Sequence, residues 1–152
     1  MIMAAPPFTS AQIRAACPHG HTLDIVTERD GEVVDRRRTS YFNPDESGVS
    51  IGVTPLGADG EPTGTAMEAW SSWDDLRDNM VYPGDVTTVT RETIETPLGR
   101  LECARYDVAS GEVTLVFWFS AQFPGMPIRS ATVSDGSEVE TTVVAAVSGA
   151  PS

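Results

Sequence analysis

Apolar and polar residues alternate with a period of two along most of this chain, which predicts strands. Nine are expected: His21–Glu28, Val33–Phe42, Gly48–Thr54, Thr63–Ala69, Asp85–Glu95, Arg100–Val108, Glu112–Ala121, Pro127–Ser134 and Glu138–Val147. The clearest pattern lies in Glu112–Ala121, where Val113, Leu115, Phe117 and Phe119 share one face and Val116 and Trp118 the other. A strand apolar on both faces is expected to be central and covered on both sides. Short links follow from turn chemistry at Arg29-Asp30-Gly31-Glu32, Thr96–Gly99, Ala109-Ser110-Gly111, Gln122–Met126 and Asp135-Gly136-Ser137. Short connections make successive strands antiparallel neighbours. The Asp30-Gly31 pair is a strong hairpin signal, because both central turn positions need positive φ.

Two segments break this period. In the first, Thr9 can cap a helix, Gln12 stands three residues on, and Phe8 and Ile13 can form a hydrophobic staple. Pro18 and Gly20 end that helix after about two turns. In the second, Ser71–Met80, the residues Trp73, Leu76 and Met80 form one apolar stripe, opposite Asp74, Asp75, Arg77, Asp78 and Asn79. A helix this short is not stable alone, so its stripe must lie against the sheet. The fold class expected is mainly β (α+β): a single curved antiparallel sheet of about eight or nine strands, as a half-barrel or open barrel with two short helices. All 152 residues belong to one domain in this reading, with 1–7 and 148–152 as disordered tails.

Composition narrows the partners. A formal net charge of −12 repels phosphate backbones and anionic lipid, so nucleic acid is not expected as a partner. No stretch approaches the ~20 apolar residues of a membrane span. All 10 basic residues are arginine, a usage that points to a GC-rich bacterial genome. The N-terminal segment does not read as a secretory signal, and Cys17 and Cys103 are expected as free thiols in a reducing, cytoplasmic setting. In Arg36-Arg37-Arg38, alternation sends Arg37 to the face opposite its neighbours. The plainer reading of this run is a solvated or edge strand, and the sharper one an anion site.

Thr96-Pro97-Leu98-Gly99-Arg100-Leu101-Glu102-Cys103, followed by Phe117-Trp118-Phe119-Ser120 and the corner Phe123-Pro124-Gly125-Met126-Pro127, resembles the bacterial lipoprotein-carrier-like curved half-barrels, which include mycobacterial lipoproteins. The resemblance covers the C-terminal half. It implies a strongly curved antiparallel sheet with one or two helices on its concave face and an apolar cavity between them. Members of that superfamily bind acyl chains or hydrophobic protein segments.

No motif with a specific chemical meaning is present, and catalytic residues are not assigned. Cys17-Pro18-His19-Gly20-His21 is the densest set of soft ligands, but its spacing matches no strong zinc pattern, and it reads as a helix exit with no metal. No G-x-S-x-G elbow and no phosphate loop is found, and no cofactor is expected. The leading expectation is a small apolar or acyl ligand held by Trp73, Leu76, Met80, Val113, Leu115, Phe117 and Phe119. A cyclase- or isomerase-type enzyme using the same cavity is the alternative, with Arg105, Tyr106 or Glu102 as the first candidates to project into it. A protein-interaction module, as a homodimer or with another partner, is the third.

Overall fold

The computed structural model describes residues 2–149, so Met1 and residues 150–152 of the expected tails lie outside the described residues. Nine strands form one sheet: β1 Thr22–Arg29, β2 Glu32–Phe42, β3 Gly48–Pro55, β4 Met67–Ser72, β5 Thr87–Thr96, β6 Gly99–Ser110, β7 Val113–Ser120, β8 Arg129–Ser134 and β9 Ser137–Ser148. Two helices accompany them, α1 Ser10–Ala16 and α2 Trp73–Asp78. The strand order is β4-β3-β2-β1-β9-β8-β7-β6-β5. Every neighbouring pair is antiparallel. The edges β4 and β5 do not meet, so the sheet is open. No helix among the described residues is long and apolar enough to cross a membrane.

Local sequence accounts for most element ends. Asp30 and Gly31 hold φ of 53° and 82°, and Asp135 and Gly136 repeat the device at 53° and 78°. Both turns therefore match the twist of the strands they join. At α1 the Thr9 side chain accepts from the Gln12 backbone N–H, while the Gln12 side chain accepts from the Thr9 N–H, a complete capping box. The second helix is shorter than the Ser71–Met80 expectation. Ser71 and Ser72 pair with Val49 and Gly48 in β4, and Ser72 then caps α2 through the Asp75 N–H. The fourth strand correspondingly lies at Met67–Ser72 rather than Thr63–Ala69. Residues ahead of it form a loop pinned by the Thr63 N–H to the Pro55 carbonyl, 2.9 Å.

The halves of the chain are joined by β1 and β9, paired from Thr22↔Ser148 to Arg29↔Glu140. Register shifts within β1/β2, β1/β9 and β8/β9 place bulges in the middle of the sheet, where they bend it. Ile51 on β3 and Phe117 on β7 line one groove. They are five strand steps apart, about 24 Å on a flat sheet, so the sheet must curl around the helices.

Each face of β7 has its own core. Phe119, with Phe117 beside it, packs with Phe8, Ile13, Cys17, Leu23, Ile25, Tyr41, Trp73, Met80 and Tyr106 on the helix side. Val116 and Trp118 join Leu101, Cys103, Ile128 and Ala131 on the other. The two-sided burial expected of this strand is present, but β7 is third from an edge rather than central. What covers its second face is partly charged. The guanidinium carbons of Arg105 and Arg129 lie 5.3 and 4.6 Å from the Trp118 ring centroid. Arg105 is held by Glu92 and Asp107, and Arg129 by Glu138.

Residues 2–5 run beside Tyr82–Gly84. Ala4 donates to the Tyr82 carbonyl and Gly84 to the Ile2 carbonyl, both at 2.8 Å, while the Tyr106 hydroxyl donates to the Ala5 carbonyl at 2.7 Å. The stripe of α2 enters the core through Trp73, whose indole N–H donates to the Asp45 carbonyl at 2.7 Å. Trp73→Phe should therefore cost about 1–3 kcal/mol, the loss of one buried bond and its stranded acceptor. An unchanged urea midpoint would show that this anchor contributes nothing.

Candidate binding site

The helix side of the sheet is not packed solid. A groove of about 460 Å³ runs between α2 and the sheet. Its floor is Ile25 of β1, Thr39 and Tyr41 of β2, and Ile51 and Val53 of β3. Leu76, Met80 and Tyr82 wall one side, and Ile13, Phe117, Met126 and Pro127 the other. The floor follows from alternation: Ile25 faces Arg37 across β1/β2, and Thr39 faces Val53 across β2/β3, so residues 37, 39 and 41 share this face. Arg37 accordingly reaches the groove, with Asp35 as its ion-pair partner at 3.2 Å. Arg38 points the other way and makes a two-pronged bond to Asp24, at 2.7 and 3.1 Å. The arginine run is thus not on an edge strand. Its strand, β2, lies between β1 and β3, although β3 pairs only from Arg37 onward, leaving Val33 and Val34 exposed.

A second cavity, about 390 Å³, opens between the end of α1 and strands β1, β2 and β9. Cys17, His21, Leu23, Tyr41, Val144 and Val147 line it, with Phe123, Met126 and Ile128 from the loop before β8. Tyr41 and Met126 line both spaces, so the cavity and the groove adjoin. The polar groups here are neutral. Burial pushes the Cys17 thiol up to about 12 and also raises the Tyr41 phenol. Burial also lowers His21, keeping its imidazole uncharged at neutral pH. His21 Nδ1 and Trp118 Nε1 are the buried side-chain nitrogens without a hydrogen-bond partner among the described residues. His19 is turned away, its Nδ1 accepting from the Asn43 N–H at 3.1 Å. No group of three or more His, Cys, Asp or Glu is placed to hold a metal ion among the described residues.

The residues singled out from sequence divide. Leu76, Met80 and Phe117 come together in the groove. Trp73 lies instead in a cleft between α1 and α2, and Phe119 is buried beneath Phe8 and Tyr106. Leu115 edges a shallow hollow with Ser130 and Thr132, and Val113 is half-buried at the hairpin end of β7. Arg105, Tyr106 and Glu102 line neither the groove nor the cavity. Arg105 is on the opposite face with Trp118, Tyr106 is bonded to Ala5, and Glu102 is exposed beside Arg91. Ile25, Tyr41, Ile51 and His21 had no part in the sequence-based site. Their facing was readable in the alternation His21-Leu23-Ile25, but their nearness to Phe117 depends on the curl.

An open, curled antiparallel sheet with both helices on one face defines the class of fold. No family model matches the chain, and no curated protein matches it. Among solved structures the chain is similar to MucB, with a TM-score of 0.58 at 12% identity over 93% of this chain, and it spans only 57% of that protein's length. It is also similar to a Bacteroides fragilis protein thought to be exported, of YmcC-like fold, with a TM-score of 0.54 at 12% identity over 88% of this chain and 98% of the other. The likeness is one of fold, and it extends over the N-terminal strands as well as the half in which the sequence resemblance was placed.

Proposed function

We propose that the protein binds an apolar or acyl ligand in the groove between α2 and the sheet. The observation that carries this reading is the groove itself: about 460 Å³, floored by Ile25, Ile51 and Val53 and walled by Leu76, Met80 and Phe117. Its size and lining fall in the range of small-molecule sites. Binding would be driven by desolvation of chain and wall together, about 25 cal/mol per Å² of apolar surface removed from water. The reading supposes no reaction, and Arg105, Tyr106 and Glu102 lie outside the groove.

Ile51→Trp should fill the groove floor and weaken binding of decyl-chain probes at least tenfold, read by isothermal titration with the fold checked by circular dichroism. A folded Ile51→Trp protein that binds such probes as tightly as the parent removes the groove as the site. Partner binding is a second reading, favoured by the edge strand β4, where Met67 is 80% and Trp70 58% exposed. It predicts self-association or partner capture that Trp70→Ser abolishes, measured by sedimentation.

A further inference from the structure

Resting on the groove as the site of an apolar chain, we infer that Arg37, at one end of the groove floor, receives the ligand's head as a carboxylate. The ligand class is then a single-chain carboxylic acid in its ionised form, rather than a neutral acyl amphiphile or a phosphate ester.

Three features converge on this assignment. The first is placement. Arg37 faces Ile25 on β1 and Pro55 on β3, which puts it on the helix side of the sheet. Ile25 is buried in the helix-side core, and both residues line the groove. The floor changes character along β2. Arg37 and Thr39 stand toward one end, whereas Tyr41, which faces Ile51, lies about 13 Å from Arg37 along the strand. Thr142, bonded to Thr27 at 3.0 Å, belongs to the Arg37 end, because Thr27 faces Asp35 across β1/β2. A floor charged at one end and apolar beyond it fits an amphiphile.

The second feature is charge. In a protein of net charge −12, Arg37 is the one charged side chain lining the groove among the described residues. A carboxylate leaves water at little cost only where a cation replaces its hydration. The planar guanidinium fork matches a carboxylate with two parallel hydrogen bonds. The third feature is availability. Arg38 and Arg129 are each tied by two hydrogen bonds, to Asp24 and Glu138. Arg37 instead meets Asp35 through Nε at 3.2 Å, with side chains 47% and 49% exposed. A pair so open to water contributes little, so a ligand carboxylate can displace Asp35 or join it. Asp35 also limits the charge this end accepts. One cation beside one carboxylate suits a monoanion better than a dianionic phosphate.

Decanoate, decanol and decyl phosphate, below their aggregation thresholds at neutral pH, test the assignment. Isothermal titration should show decanoate binding at least tenfold more tightly than decanol, and more tightly than decyl phosphate. Arg37→Gln should weaken decanoate at least tenfold and leave decanol within twofold. Arg36→Gln removes the same charge from the opposite face of β2 and should leave all three probes within twofold. Decanol bound as tightly as decanoate, decyl phosphate bound more tightly, or equal losses of decanoate in Arg37→Gln and Arg36→Gln overturns the carboxylate assignment while the groove stands. Binding of none of the three probes overturns the groove and the carboxylate assignment together.

Discussion

Phe119→Ala is expected to lower the stability of the protein by about 3–5 kcal/mol, the range for emptying an aromatic site in a packed core. Phe119 is 2% exposed. It meets Phe8 edge-on at 5.9 Å between centroids and Tyr106 edge-on at 5.2 Å. Those neighbours are themselves anchored. Phe8 leads into the capped start of α1, and Tyr106 holds the N-terminal segment through the Ala5 carbonyl. The surroundings are therefore poorly placed to collapse into the vacated volume, which puts the cost toward the upper part of the range. A loss of this size is a large share of the 5–15 kcal/mol typical of a domain. Urea denaturation at neutral pH measures it. A loss below about 1 kcal/mol would mean that this side of β7 is not the packed centre of the helix-side core.

Alkali should destabilise the fold more steeply than its few basic side chains would suggest. Cys17 is 1% exposed, and burial pushes its thiol from an ordinary 9.0 to about 12. Between those values the unfolded chain has lost the proton and the folded chain still holds it. The unfolded state then binds fewer protons, so stability falls as pH rises. One such group contributes at most about 1.4 kcal/mol per pH unit. Tyr82, pushed up to about 12, and Tyr41, Tyr106 and Cys103, all raised by burial, add losses of the same sign as their unfolded-state values are passed. Stability should be level from pH 7 to 8 and decline progressively from 9 to 11, with a shallower decline in Cys17→Ala. A flat profile over that interval would show that these groups are open to water.

The acid side carries the opposite sign. Burial lowers His21 and the Arg129 bond lowers Glu138, so their contributions are present at neutral pH. That of His21 is lost as pH falls below 6.5, and that of Glu138 as it falls below 4.5.

Much of the architecture was legible because it is local. The nine strands, the capping box at Thr9 and Gln12, the Asp-Gly turns and the two-faced β7 are all set within a few residues of one another. The misjudged element ends have a non-local cause. Ser71 and Ser72 suit both a helix start and a strand end, and pairing with Val49 and Gly48 decides for the strand. The candidate site was less legible. Leu76, Met80 and Phe117 could be found as apolar faces, but the same reasoning gathered in Phe119, which is core, and Leu115, which lies outside the groove.

By itself the sequence determined the strands, the turns, and which residues share a face, because side-chain alternation and turn dihedrals are short-range properties. The tertiary structure alone decided that β9 lies beside β1 and that bulges curl the sheet far enough to bring Ile51 to the same groove as Phe117. It alone buried His21 Nδ1 without a partner and placed His21 beside an adjoining cavity. Those outcomes depend on which distant strands pair and how far the sheet bends. Period-two alternation specifies the two faces of each strand but carries no information about its neighbour in space.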